Sequence, residues 1–225
     1  MTATIKRSLK RRDKMKQVIE GLKLAAKYSY ICERARLMKV SNEFKRFIFE
    51  ETNDYKKIES ILKNLISYDF YRRIAFANGV YPLDYDVVSF YWKGSPKLKG
   101  EEFIHNASTL KPIIQIRMHN IVEEMVDDCV VHPAKITSKI SSNEYWVVYH
   151  PVVKTIKKDR LTLGSPREII VQNELGLDLK EGDWVTIHFR RIIEKISKEE
   201  AQNLLKLTKT ALKDFNERNK KENKK

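Results

Sequence analysis

Cys129, His132 three residues on, and His188 are the side chains whose types could do chemistry together. Thiolate sulfur and neutral imidazole suit a soft metal, so these three could converge on one ion. Cys129 follows Asp127-Asp128, and neighbouring negative charge disfavours the thiolate, the form that binds metal or attacks. A bound cation reverses that argument. Three readings of Cys129 stay open: an inert structural cysteine, a metal- or partner-binding thiolate, and a catalytic nucleophile. His188 alternates with Trp184 and Thr186, which predicts one exposed strand face, with Val185, Ile187 and Phe189 on the core face. An exposed imidazole is a ligand, a hydrogen-bonding partner or a plain surface histidine. Cys32, in Tyr30-Ile31-Cys32-Glu33 on a helical stretch, reads as packing.

A second set is aromatic and basic. Tyr145, Trp146 and Tyr149, beside Lys139, Lys154, Lys157 and Lys158, would make a base-stacking platform if displayed on an OB-like barrel, and would fill a core if turned inward. Signatures of common enzyme sites, a Gly-rich phosphate loop, a His-Glu-x-x-His helix or a Gly-x-Ser-x-Gly elbow, do not occur, and no enzyme is expected.

The elements that must position these residues divide near Cys129. From about Arg12 to Lys111 the periodicity is helical, with Met15, Ile19, Leu22 and Ala26 on one stripe, then Phe44, Phe47 and Ile48, then Ile58, Leu62 and Ile66. Thr52-Asn53-Asp54 and Ala77-Asn78-Gly79 read as interhelical turns. A capped helix is expected after Pro82-Leu83-Asp84, running to Gly94-Ser95-Pro96, and another over Ile114, Met118, Ile121, Val122 and Met125. Beyond Cys129 come short β-branched and aromatic segments: 135–140, 144–150, 152–156, 160–163, 168–172 and 184–190. Five or six such strands in so short a span predict a compact barrel. Ser197-Lys198-Glu199-Glu200 is a capping box opening a helix with Ala201, Leu204, Leu205, Thr208, Leu212 and Phe215 on one face.

With 225 residues, 42% of them hydrophobic, the chain can build real cores. No run approaches a membrane span and the start lacks a signal-peptide apolar region, so a cytoplasmic protein is expected. Two distant cysteines suggest neither a disulfide framework nor a zinc site, but thiols in a reducing compartment. The net charge of +14 is concentrated at the ends: residues 1–16 carry seven Lys/Arg against Asp13, and residues 198–225 carry nine against five acids. Such ends read as solvated tails able to touch RNA or an acidic partner.

Two phrases bear a resemblance: Cys129-Val130-Val131-His132-Pro133-Ala134-Lys135-Ile136, and later Gly182-Asp183-Trp184-Val185-Thr186-Ile187-His188. In order and spacing they resemble the signatures of the HypC/HupF hydrogenase-assembly chaperone family. Glu194-Lys195-Ile196-Ser197 and Glu199-Glu200-Ala201 extend the likeness over about residues 129–215. The chain also resembles a larger prokaryotic family of unknown function, through Gly21–Tyr30, Ala77-Asn78-Gly79, Pro82-Leu83-Asp84, Val87-Val88, Tyr91-Trp92-Lys93-Gly94, Leu163–Glu168 and Gly182–Val185. The first resemblance implies a scaffold that, with its partner HypD, transiently holds an iron passed on to a hydrogenase large subunit. It makes Cys129 the iron or partner thiolate, puts His188 on the partner surface, and makes Pro133 and Gly182 turn-shaping residues there; Cys129 and His188 are also the candidate metal ligands of the residue reading. Two departures stand out: the family's cysteine is N-terminal whereas Cys129 follows 128 residues, and Ala134 replaces a glycine.

The expected architecture is therefore α+β: a helical domain at 1–126 with a basic N-terminal tail, an OB-like, HypC-like barrel with its helix at 127–215, and a basic tail at 216–225. The expected function is that of a non-enzymatic accessory protein for assembly or maturation of a nickel–iron hydrogenase or related metalloenzyme, with no permanent cofactor and no membrane partner. The alternative is a basic nucleic-acid- or ribosome-binding protein using the tails and the barrel aromatics.

Overall fold

The computed structural model of the chain describes residues 3–32, 39–50, 52–94, 98–115, 123–155 and 160–222. By compactness the chain forms two units, Met1–Tyr91 with Ser95–Gly100, and Trp92–Gly94 with Glu101–Lys225. The first unit is helical: α1 (Ala3–Ile31), α2 (Ser41–Phe49), α3 (Tyr55–Lys63), α4 (Ile66–Asn78) and most of α5 (Tyr85–Lys93). Leu22, Ala26, Phe44, Phe47, Ile58 and Leu62 are buried as their periodicity predicts, whereas Met15 and Ile66 are exposed. Asp54 caps α3 by accepting from the Lys57 amide at 3.2 Å, and Gly79 ends α4 in the left-handed region at φ 66°, where glycine carries no Cβ penalty. The phrases around Gly21 and Leu83 meet here. A Cβ on Gly21 would collide with the Leu83 carbonyl and with the backbone of Asp84 and Tyr85.

The second unit carries α6 (His105–Gln115), α7 (Glu123–Cys129) and seven strands: β1 (His132–Lys139), β2 (Glu144–Tyr149), β3 (Val152–Thr155), β4 (Arg160–Leu163), β5 (Arg167–Gln172), β6 (Trp184–His188) and β7 (Arg191–Ile196). The chain continues into α8 (Lys198–Glu222). Five strands close into a barrel in the order β1-β2-β5-β7-β6, and β3 with β4 forms a separate hairpin. All barrel pairs are antiparallel except β5 with β7, which gives the OB-like Greek-key barrel the sequence predicts. Its interior is filled by Ile136, Tyr145, Val147, Val171, Val185 and Ile187, among others. A separate core joins Leu110 of α6 and Val126 of α7 to Val152 and Leu161 of the hairpin and to Leu212 and Phe215 of α8. The compact division thus falls near residue 100, ahead of the boundary expected at 126, because α6 and α7 supply part of that core.

Two expectations are corrected. The chain after Phe215 does not fray at once: α8 runs on to Glu222, Asn219 is buried, and the Asn216 side chain donates to the Leu161 carbonyl at 2.8 Å and accepts from its amide at 3.0 Å. The capping box does form, with Ser197 and Glu200 bonding each other's amides at 3.1 and 2.8 Å. Strand β7 was not foreseen, because the expected strand 184–190 instead turns at Phe189 and Arg190. Both have positive φ, 49° and 57°, as a two-residue hairpin loop requires.

Candidate functional site

The two resembling phrases become neighbours in the barrel. β1 pairs antiparallel with β6, setting His132 opposite Ile187, Pro133 opposite Thr186, Ala134 opposite Val185 and Lys135 opposite Trp184. The Gly182 amide donates to the Ile136 carbonyl, and the Ile136 amide to that of Asp183, both at 2.9 Å. Gly182 is exposed in a turn at φ 88°, a conformation that favours glycine. Pro133 does not shape a turn: it is buried within β1. Cys129 ends α7, three residues before β1 begins, and is half-buried.

His188 is corrected most. It shares a strand face with Trp184 and Thr186 as expected, yet only 1% of it is exposed. The outer side of β6 is covered, since α8 packs beside β1 and β6 and the His188 ring meets those of Phe189, His105 and Trp92 at centroid distances of 4.6, 5.2 and 6.1 Å. Among the described residues neither ring nitrogen has a hydrogen-bond partner, although the Val130 backbone lies near enough to favour the charged ring weakly. Burial, then the charge of nearby His105, hold His188 well below the usual imidazole range, and burial lowers His105 to about 4. Both rings are neutral at pH 7.

The centre of the surroundings is Asp127, which sequence reasoning passed over as a mere neighbour of Cys129. One carboxylate oxygen accepts from the Val152 amide at 2.6 Å and lies 3.0 Å from His132 Nε2; the other accepts from the Tyr149 hydroxyl at 2.7 Å and from Arg167 at 3.1 Å. Burial raises its pKa, but the bonds from His132, Tyr149 and Val152 and the imidazole charge outweigh this, and the carboxyl titrates below its ordinary value. Asp128 next door clamps the β6–β7 turn: its carbonyl accepts from the Phe189 amide at 2.9 Å and its carboxylate from Arg190 at 3.3 Å. A small cavity here is lined by Asp127, Asp128, Val130, His132 and His188, but not by Cys129. The trio Cys129, His132 and His188 is therefore not gathered around one ion. Among the described residues no three His, Cys, Asp or Glu side chains could hold a metal.

The stacking platform is likewise rearranged. Tyr145 and Tyr149 are 2% and 5% exposed, inside the barrel core. Trp146 is half-buried on the outer face, opposite Ile170, which is 44% exposed. Lys154 is half-buried on β3, and Lys157 and Lys158 lie outside the described residues. Among the described residues no helix is long and apolar enough to cross a membrane.

A known pattern covers this region. Residues 111–222 match a family of unknown function (DUF6390). The matched stretch takes in α7, the barrel, the β3–β4 hairpin and all of α8, so the Asp127 cluster and both resembling phrases lie within it. No curated protein and no solved structure matches the chain.

Proposed function

We propose that the chain is a non-enzymatic accessory protein, acting in the cytoplasm, that assists assembly or maturation of a nickel–iron hydrogenase or related metalloenzyme by docking a partner at the Cys129 end of the barrel. The observation that carries this reading is the residue-by-residue pairing of β1 with β6, which joins the two phrases resembling the HypC/HupF signatures into one surface region. Asp127 and Asp128, the two residues just before Cys129, tie the chain to the hairpin and to the β6–β7 turn, so Cys129 follows a fixed backbone. Preorganisation of this kind lowers the cost of binding. His188, walled in by aromatic rings, acts in this reading as a packing residue behind the surface. Iron is cargo here: Cys129 contributes one soft ligand, and the partner supplies the rest.

The nucleic-acid alternative keeps only Trp146 of its three aromatics at the surface, which leaves a poor stack for successive bases. Affinity capture of the full tagged chain from its native host tests the choice. A hydrogenase large subunit or maturation factor recovered at near-equal stoichiometry is the expected result. Recovery of ribosomal RNA or DNA in place of such a protein, released by moderate salt as phosphate contacts are, would overturn it.

A further inference from the structure

We propose that the groove between the β3–β4 hairpin and α8 is a docking site for an acidic amphipathic helix of a partner protein. The groove, about 610 Å³ and open to solvent, has a floor of Leu161, Leu163 and Leu212. Its rims are basic: Arg160 stands on the hairpin side, and Lys209, Lys213 and Lys220 follow one another along α8. All four cations are exposed. Among the described residues Glu217 is the one acid in the lining, and it reaches Lys213 only at 4.0 Å across an exposed pair, too weak a contact to neutralise the rim.

Length, edge chemistry and lining select the occupant. From Lys209 to Lys220 the helix rises about 16 Å, so the cations are strung out rather than focused on a single phosphate, and three helical turns of a partner match that span. An added β-strand is not accommodated at the middle of β4, because the amide and carbonyl of Leu161 are already bonded to Asn216. Helix-in-groove recognition remains, with aliphatic anchors on the leucine floor and carboxylates toward the rims. Among the described residues no aromatic side chain lines the groove, whereas single-stranded nucleic acid is held by aromatic stacking as well as charge. The lysine stems add apolar surface below their charged ends. This site shares no residue with the Cys129 region and stands or falls separately from it.

The test is fluorescence polarisation with the full chain and a lactam-bridged, fluorescein-labelled helix of about four turns, carrying leucine at i, i+3, i+4 and i+7 and glutamate elsewhere. Saturable binding is expected, weakening as salt screens the rims. The double variant Lys209→Glu with Lys213→Glu is expected to lose about tenfold or more in affinity, a loss of roughly 1.4 kcal/mol. Lys206→Glu, on the same helix but outside the groove, should stay within about twofold. Absence of saturable binding, equal binding after replacing the leucines by serine, an unaffected Lys209/Lys213 variant, or tighter binding of oligothymidylate would each overturn the proposal.

Discussion

His188 places an imidazole with two unpartnered nitrogens inside a wall of rings, and this fixes the direction of its effect on stability. Its folded pKa, like that of His105, lies below the unfolded value near 6.5. The unfolded chain therefore binds more protons in acid, and stability falls as pH drops below about 6.5, through the His105 value near 4. Asp127 adds a loss only at lower pH, because its depressed carboxyl is protonated below the ordinary carboxylate range. Replacing His188 by Phe keeps a ring of similar size and removes both orphaned nitrogens. His188→Phe is expected to unfold in urea at or above the wild-type midpoint at pH 7.5, and to lose less stability than wild type at pH 5. His188→Ala, which leaves a cavity, should cost roughly 2–4 kcal/mol at pH 7.5 and less at pH 5, where only wild type bears the acid-linked loss. A steeper acid loss in His188→Phe than in wild type would contradict the buried, neutral assignment.

Strands and helix spacing were mostly legible as elements, and the misses have physical causes. The alternation along β6 correctly sorts Trp184, Thr186 and His188 onto one face, but alternation does not say what covers that face, and here it is covered. The β6–β7 hairpin lacks the Asn-Gly or Asp-Gly signal of a two-residue loop; Phe189 and Arg190 take positive φ, a cost of roughly 1 kcal/mol or more each, offset by the bonds to Asp128. Tyr145 and Tyr149 alternate with Trp146 in a way that leaves inside and outside undecided until the barrel closes. Glycine chemistry separates two kinds of element contact. Gly21 presses α1 against backbone atoms that cannot yield, whereas Gly79 needs only its left-handed φ and faces open space. Gly21→Ala should therefore lower the melting temperature by several degrees more than Gly79→Ala, whose cost is about 1 kcal/mol. Equal shifts would mean that the α1 backbone moves away freely.

The second unit is built around two cores, one within the barrel and one built from α6, α7, the hairpin and α8. Helical periodicity groups α6 with the preceding helices, whereas packing places Leu110 of α6 in a core with α7, the hairpin and α8. A fragment 127–215 lacks Leu110, Val126 and Asn216 and is expected to show no cooperative thermal transition. A fragment 92–225, which keeps Trp92 stacked 4.5 Å from His105, is expected to melt cooperatively. The charge of the ends was plain in composition, but its arrangement along one rim of a groove required α8 to continue past Phe215.

The proposed docking role rests on Cys129 more than on any other side chain. The direct measurement is a binding isotherm of purified full-length wild type and Cys129→Ser against the metalloenzyme component that co-purifies with the chain, beside thermal melts of both proteins. Serine is nearly isosteric but lacks a soft thiolate. The account predicts an unchanged melting temperature and an affinity reduced about tenfold or more, whereas equal affinity in two equally stable proteins would contradict it.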